Sequence, residues 1–320
     1  MKILSLAILS VLLLSINCKY DEEAAVEYMY ACSLAYCPPA QITERDCKQA
    51  TYMTESLGFK PIFVHDNGGI ISPIFLVILE REHKKELVVS FSGTKGPSEL
   101  IEEIINSLPK KYALHENDDA RVFAFFYDHY VNDFKDLFLN KISELLSMEK
   151  YDDYKIVFTG HSLGGALALH AAADGTLSNL YQNRNISIYT YGQPRVGNRE
   201  FYNLFLENID DYYRLVHHKD LVAHVPPCIP DFSGGCLSDG EYPIYPSHGP
   251  TEIFYDEDME SYTICDDLDG EDPYCSNSIF SDSFSNHKRY FGEHVGHLYK
   301  EDPPIGSQIS QMVKELITSQ

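Results

Sequence analysis

Apolar and polar positions alternate between two periods along the middle of the chain. Ile74 to Glu80 and Glu86 to Ser92 read as strands, joined by the charged turn Arg81-Glu82-His83-Lys84-Lys85. Ile156 to Phe158 is another apolar strand run, and Ala166 to Ala173 follows it with helix-forming residues. Ile186 to Tyr191 and Tyr212 to Val216 repeat the strand pattern further on. Helical spacing covers residues 19–36, with Ala24, Ala25, Tyr28, Met29, Cys32 and Ala35 on one face and Pro38-Pro39 as the stop. A longer helical stretch spans about 118–148, and Gln308 to Ile317 reads as a short amphipathic helix. Strands and helices alternating in this way predict a doubly wound α/β sheet, mostly parallel. Past Pro226 the chain turns loop-rich. No internal repeat and no inter-domain linker interrupts it.

The first residues stand outside this pattern. Met1-Lys2 is followed by an apolar run from Ile3 to Ile16, broken only by Ser5, Ser10 and Ser15. A bilayer-spanning helix needs about 20 apolar residues, so the run reads as a secretory signal peptide over residues 1–18. Cleavage after Cys18 leaves residues 19–320 as one domain with no membrane-spanning segment. A composition of 44% hydrophobic and 23% charged residues is that of a globular protein. The net charge of −23 excludes nucleic acid as a partner, because its phosphates would be repelled. Eight cysteines in an exported chain point to disulfides. The simplest pairing joins Cys37 to Cys47, Cys228 to Cys236 and Cys265 to Cys275, with Cys32 left over or exchanging with Cys37. No C-x2-C pair offers the spacing of a zinc site, and no metal is expected.

The chemistry centres on Thr159-Gly160-His161-Ser162-Leu163-Gly164-Gly165. A strand, then Gly-x-Ser-x-Gly, then a helix is the nucleophile elbow, which holds a serine oxygen proud of the backbone on a sharp turn. A serine nucleophile needs a histidine to take its proton and a carboxylate to orient that histidine. In α/β-hydrolases both follow the serine, acid first. Asp220 comes directly after the Tyr212–Val216 strand, where such an acid belongs. Asp210 and Asp211 precede that strand, and Asp231 lies in a loop. For the histidine, position leaves His224, His248, His287, His294 and His297 open. The Leu163 amide and the turn Ser92-Gly93-Thr94 are candidates for an oxyanion hole. After Thr94, the residues Leu100, Ile101, Ile104, Ile105 and Leu108 share one helical face, the pattern of a lid with an apolar underside.

Together these segments closely resemble the class 3 lipases, the fungal triacylglycerol lipase-like family of secreted α/β-hydrolases. The resemblance runs from about Tyr36 to Gly292. It is carried by Tyr36-Cys37-Pro38, Val89 to Thr94, Ile156 to Ala166, Thr190 to Asn198 and Lys219 to Pro227. It implies His287 as the catalytic histidine, because His287 precedes Tyr290-Phe291, and it assigns the Tyr245–Tyr255 segment with His248 to a non-catalytic place. It likewise implies Thr94 as an oxyanion residue and places the lid at residues 97–108. The implied enzyme is a secreted serine ester hydrolase with Ser162, Asp220 and His287 as its triad. It needs no cofactor and acts on lipid esters at a lipid–water interface. Esterases on soluble or wall-bound esters of the feruloyl type, phospholipases and inactive lipid-binding proteins share the pattern. Ser92 stands where the family usually has arginine, and the chain has no tryptophan, which lids of this family often carry.

Overall fold

A computed structural model describes residues 20–69, 73–94, 102–104, 106–113, 115–117, 119–228, 236, 246–266 and 270–298. Residues 1–18, read as a signal peptide, and the helix expected at Gln308–Ile317 lie outside these. Among the described residues, the fold is organised by β1 (Lys60–Asp66), β2 (Phe75–Arg81), β3 (Glu86–Phe91), β4 (Pro109–Lys111), β5 (Arg121–Phe123), β6 (Lys155–His161), β7 (Ile186–Tyr191), β8 (Asp211–His217), β9 (Glu252–Tyr255) and β10 (Tyr262–Ile264), with a further short pair, Arg289–Tyr290 and Glu293–His294. Of β1 to β10, β4 and β5 pair with each other apart from the main sheet. The other eight form one sheet in the order β1-β2-β3-β6-β7-β8-β9-β10. The run from β3 to β9 is parallel, and the antiparallel pairs β1–β2, β2–β3 and β9–β10 lie at its two sides. This is the mostly parallel α/β sheet expected, in the α/β-hydrolase arrangement.

Side-chain alternation along the strands divides the core in two. Leu76, Ile78, Val89, Phe91, Ile156, Phe158 and Ile188 face the helices Leu163–Leu177 and Asp136–Leu146. Val77, Leu79, Val88, Val157, Leu215 and Ile253 face the helix Glu22–Ala35 on the other side. Each such apolar side chain, removed from water, contributes about 1.5–3 kcal/mol relative to exposure. The helix after Ser162 carries Ala166, Ala168, Ala171, Ala172 and Ala173, all buried, so its backbone approaches the sheet closely.

One element differs from expectation. The helical stretch read over 118–148 begins with β5, which pairs with β4, and turns helical only at Ala124. Val122 also bridges Gly197, so tertiary pairing overrides the local helical pattern. The disulfides are Cys37–Cys47, Cys228–Cys236 and Cys265–Cys275, and Cys32 is free and buried. Burial pushes the Cys32 thiol up to about 12.

Candidate active site

The parallel strands deliver the site to one edge of the sheet. β3 ends beside Gly93 and Thr94, β6 runs into Ser162, β7 ends at Gly192, and Asp220 follows β8. Open α/β sheets place ligands in this crevice beyond the carboxyl ends of their strands. Ser162 sits at φ 60°, ψ −129°, a strained conformation for a residue with a side chain. Two glycines make the turn possible. A Cβ at Gly160 would strike the backbone of Gly164, and one at Gly164 would strike Phe91 and Ser92. The elbow is thus wedged between two strands and its own helix.

Asp220 and His287 meet at the same edge of the sheet. Nδ1 of His287 lies 3.0 Å from the Asp220 carboxylate, and both side chains are buried. The Val222 amide donates to Asp220 Oδ1 at 2.8 Å, and the Tyr290 hydroxyl donates to Oδ2 at 3.0 Å. Burial on its own would raise this carboxyl. The charge and hydrogen bond of His287, with the Tyr290 hydroxyl, outweigh it and hold Asp220 below the usual carboxylate range. An ionised carboxylate of this kind fixes the Nδ1–H tautomer of the imidazole and leaves Nε2 free to accept a proton.

The other histidines do other work. The ring of His224 meets the main-chain oxygen of Asp220 and the Ser281 hydroxyl. His248 donates to the Ala223 carbonyl at 2.8 Å, and His294 and His297 stack on each other at 3.8 Å. Asp210 and Asp211 bind the first residues of β7, at the opposite edge of the sheet. Asp231 lies outside the described residues.

The register Phe91↔Gly160 runs the Ser92-Gly93-Thr94 turn alongside Ser162 and Leu163. Leu163 opens the helix Leu163–Leu177, where the first amides lack intrahelical partners. Ser92 completes the β2–β3 ladder, its hydroxyl accepting from the Phe75 amide at 2.8 Å. Ser162 Oγ is buried and has no hydrogen-bond partner among the described residues. Of the apolar face expected after Thr94, Ile104 is buried in the core and Leu108 is 76% exposed. Leu108 lies beyond the helical residues, in extended chain leading into β4, so the two do not share a helical face. Leu100, Ile101 and Ile105 lie outside the described residues.

Residues 88–229 match the family model of the lipases of class 3. The chain belongs to the class 3 lipase family. Among the relatives of this family, the lipase ZK262.3 of Caenorhabditis elegans is 33% identical over 172 residues, 48% of this chain and 49% of that protein. A lipase of Rhizopus oryzae is 31% identical over 230 residues, covering 68% and 51%. The chain spans about half the length of these curated relatives. In three dimensions it is similar to the triacylglyceride lipase of Rhizomucor miehei, with TM-score 0.69 and 25% identity over 88% of this chain and 98% of that one.

The class 3 motifs acquire physical roles here. Gly192, at φ 55°, faces the Asp220–His287 couple with no room for a side chain. Arg195 grips Glu271 through two bonds of 2.8 Å and donates to the carbonyls of His224 and Pro226, which braces the loop after Asp220. Neither residue carries a sequence signal beyond membership of the Gly-Gln-Pro-Arg segment.

Proposed function

We propose that the protein is an exported serine ester hydrolase acting on acylglycerols, a triacylglycerol lipase in its chemistry. The observation that carries this reading is the buried Asp220–His287 couple, set beside a serine on a strained elbow. In this reading Ser162 Oγ attacks the ester carbonyl while His287 Nε2 takes its proton. The tetrahedral oxyanion is met by the Leu163 amide and by Thr94. His287 then protonates the departing alcohol, and water, deprotonated by the same nitrogen, releases the acid from the acyl-enzyme. Ser162 Oγ has no partner among the described residues, and in this reading its hydrogen bond to His287 forms once substrate is bound, a common property of resting sites.

The substrate class rests on the likeness to a triacylglyceride lipase and on the enclosure of Ser162, which is 1% exposed. A nucleophile hidden in water and reached only after opening suits an insoluble substrate, with the segment 97–108 as the lid. Three disulfides support an oxidising destination, and residues 1–18 supply the export leader. No helix among the described residues is long and apolar enough to cross a membrane. The test is a substrate panel of emulsified triacylglycerol, phospholipid, a feruloyl ester and short soluble esters. The proposal expects triacylglycerol to be cleaved best, with a rise in rate at the substrate's solubility limit. Preference for the feruloyl ester, with no such rise, would overturn it.

A further inference from the structure

Tyr36 and His161 take no part in the steps above, yet both are buried beside them. Nε2 of His161 lies 2.6 Å from the main-chain oxygen of His287, and Nδ1 lies 2.6 Å from Tyr36 Oη. A carbonyl oxygen only accepts, so Nε2 carries the proton and donates it. Nδ1 is then a bare lone pair, and the tyrosine hydroxyl donates to it. The Gly93 amide donates to the same phenolic oxygen. The rings of His161 and His287 stack with centroids 4.5 Å apart and planes 30° apart. An unbroken chain of bonds therefore runs from the turn after β3, through Tyr36 and His161, to the backbone of His287. The Cys37–Cys47 disulfide pins the residue that follows Tyr36.

We propose that Tyr36 and His161 are positioning residues that hold the main chain of His287 and the Gly93-Thr94 turn in fixed relation to Ser162. The proposal rests on the assignment of Ser162, His287 and Asp220 made above, and it gives the Tyr36-Cys37-Pro38 motif a purpose. His287 is carried by the five-residue helix Phe284–Lys288, too short to order itself. Asp220 sets the tilt of its ring, and His161 sets the backbone on which the ring hangs. The ionisable groups around His161 include His287, Asp220, His294, Tyr36 and Tyr290. Burial, with the neighbouring His287, pushes His161 down to about 3, so no second positive charge opposes the imidazolium that forms on His287.

The experiment compares wild type with Tyr36→Phe, His161→Phe and His161→Gln, each confirmed folded by near-ultraviolet circular dichroism. Kinetics on a soluble p-nitrophenyl ester should show kcat falling about tenfold in Tyr36→Phe and about a hundredfold in His161→Phe, with KM little changed. His161→Gln keeps an N–H donor and should recover part of the loss. Nitrogen NMR of histidine-labelled wild type should find His161 protonated on Nε2 alone from pH 8 to pH 5. A His161→Phe variant with wild-type kcat, an effect confined to KM, or a His161 protonated on Nδ1 at pH 7 would overturn the proposal. The two levels fail differently. A wild type that a fluorophosphonate does not label removes the nucleophile, whereas normal labelling with undiminished kcat in His161→Phe removes the tether alone.

Discussion

Replacing Gly192 by alanine adds one methyl group where the turn after β7 faces Asp220 and His287. A Cβ there lies 2.5 Å from Asp220 Oδ2, 2.7 Å from His287 Nδ1 and 2.9 Å from His287 Cε1. Comfortable contacts begin at about 3.5 Å, so either the couple or the turn must retreat by roughly 1 Å. Alanine at φ 55° adds backbone strain of about 1–2 kcal/mol. A misplacement of about 1 Å in a catalytic group costs roughly a hundredfold in rate, or about 3 kcal/mol of barrier. The assay is kcat and KM on a soluble p-nitrophenyl ester, with Gly68→Ala as the control. Gly68 also has a positive φ, 74°, yet nothing lies within 4 Å of a Cβ built on it. It shares the strain without the collision. Gly192→Ala should lose about a hundredfold in kcat while Gly68→Ala loses only stability. Equal kcat in the two variants would refute the claim that the turn after β7 is shaped around the Asp220–His287 couple.

Asp220→Asn should keep the fold and lower kcat by about 10⁴, because the amide no longer selects the working tautomer of His287; a loss under tenfold would show that Asp220 does not orient the base. His248→Ala should weaken stability by about 1–3 kcal/mol through the abandoned Ala223 carbonyl. Its kcat per folded molecule should stay within a few-fold of wild type, in contrast to His287→Ala, and the reverse pattern would exchange the two assignments. His170 is buried, neither ring nitrogen has a partner among the described residues, and burial holds it down to about 3 against its ordinary 6.5. The unfolded chain therefore takes up this proton first, so stability is full above pH 6.5 and drains as pH falls towards 3. The loss between pH 8 and pH 5 works out at about 2 kcal/mol. Urea unfolding of His170→Phe should show that much less pH dependence than wild type, and an identical pH dependence would contradict the buried neutral imidazole.

The elbow and the acid were legible because their signals are local. A strand feeding a glycine-flanked serine, and an aspartate just past the end of a later strand, are read within ten residues each. The three disulfides were legible for the same reason, since each spans a short loop. His287 was not fixed by position, because it returns to the site through irregular chain that no periodicity organises, and only kinship with the class 3 lipases singled it out. Tyr36, His161 and Gly192 were invisible as functional groups. Tyr36 reaches its partner across 125 residues of sequence, and the crowding at Gly192 exists only after β7 and β8 have paired. Arg121–Phe123 read as helix because its local pattern continues into one, while its strand pairing is tertiary. Leu108 fits a helical face by spacing, but the chain turns extended before it.

In the proposed mechanism Ser162 is a nucleophile activated by His287 and Asp220. The most direct measurement is covalent labelling with a fluorophosphonate, read by intact mass and peptide mapping, on wild type, Ser162→Ala and His287→Ala. One adduct per chain on Ser162 is expected in wild type, none in Ser162→Ala and a greatly slowed reaction in His287→Ala. An unlabelled wild type, or an adduct that survives Ser162→Ala, would contradict that mechanism.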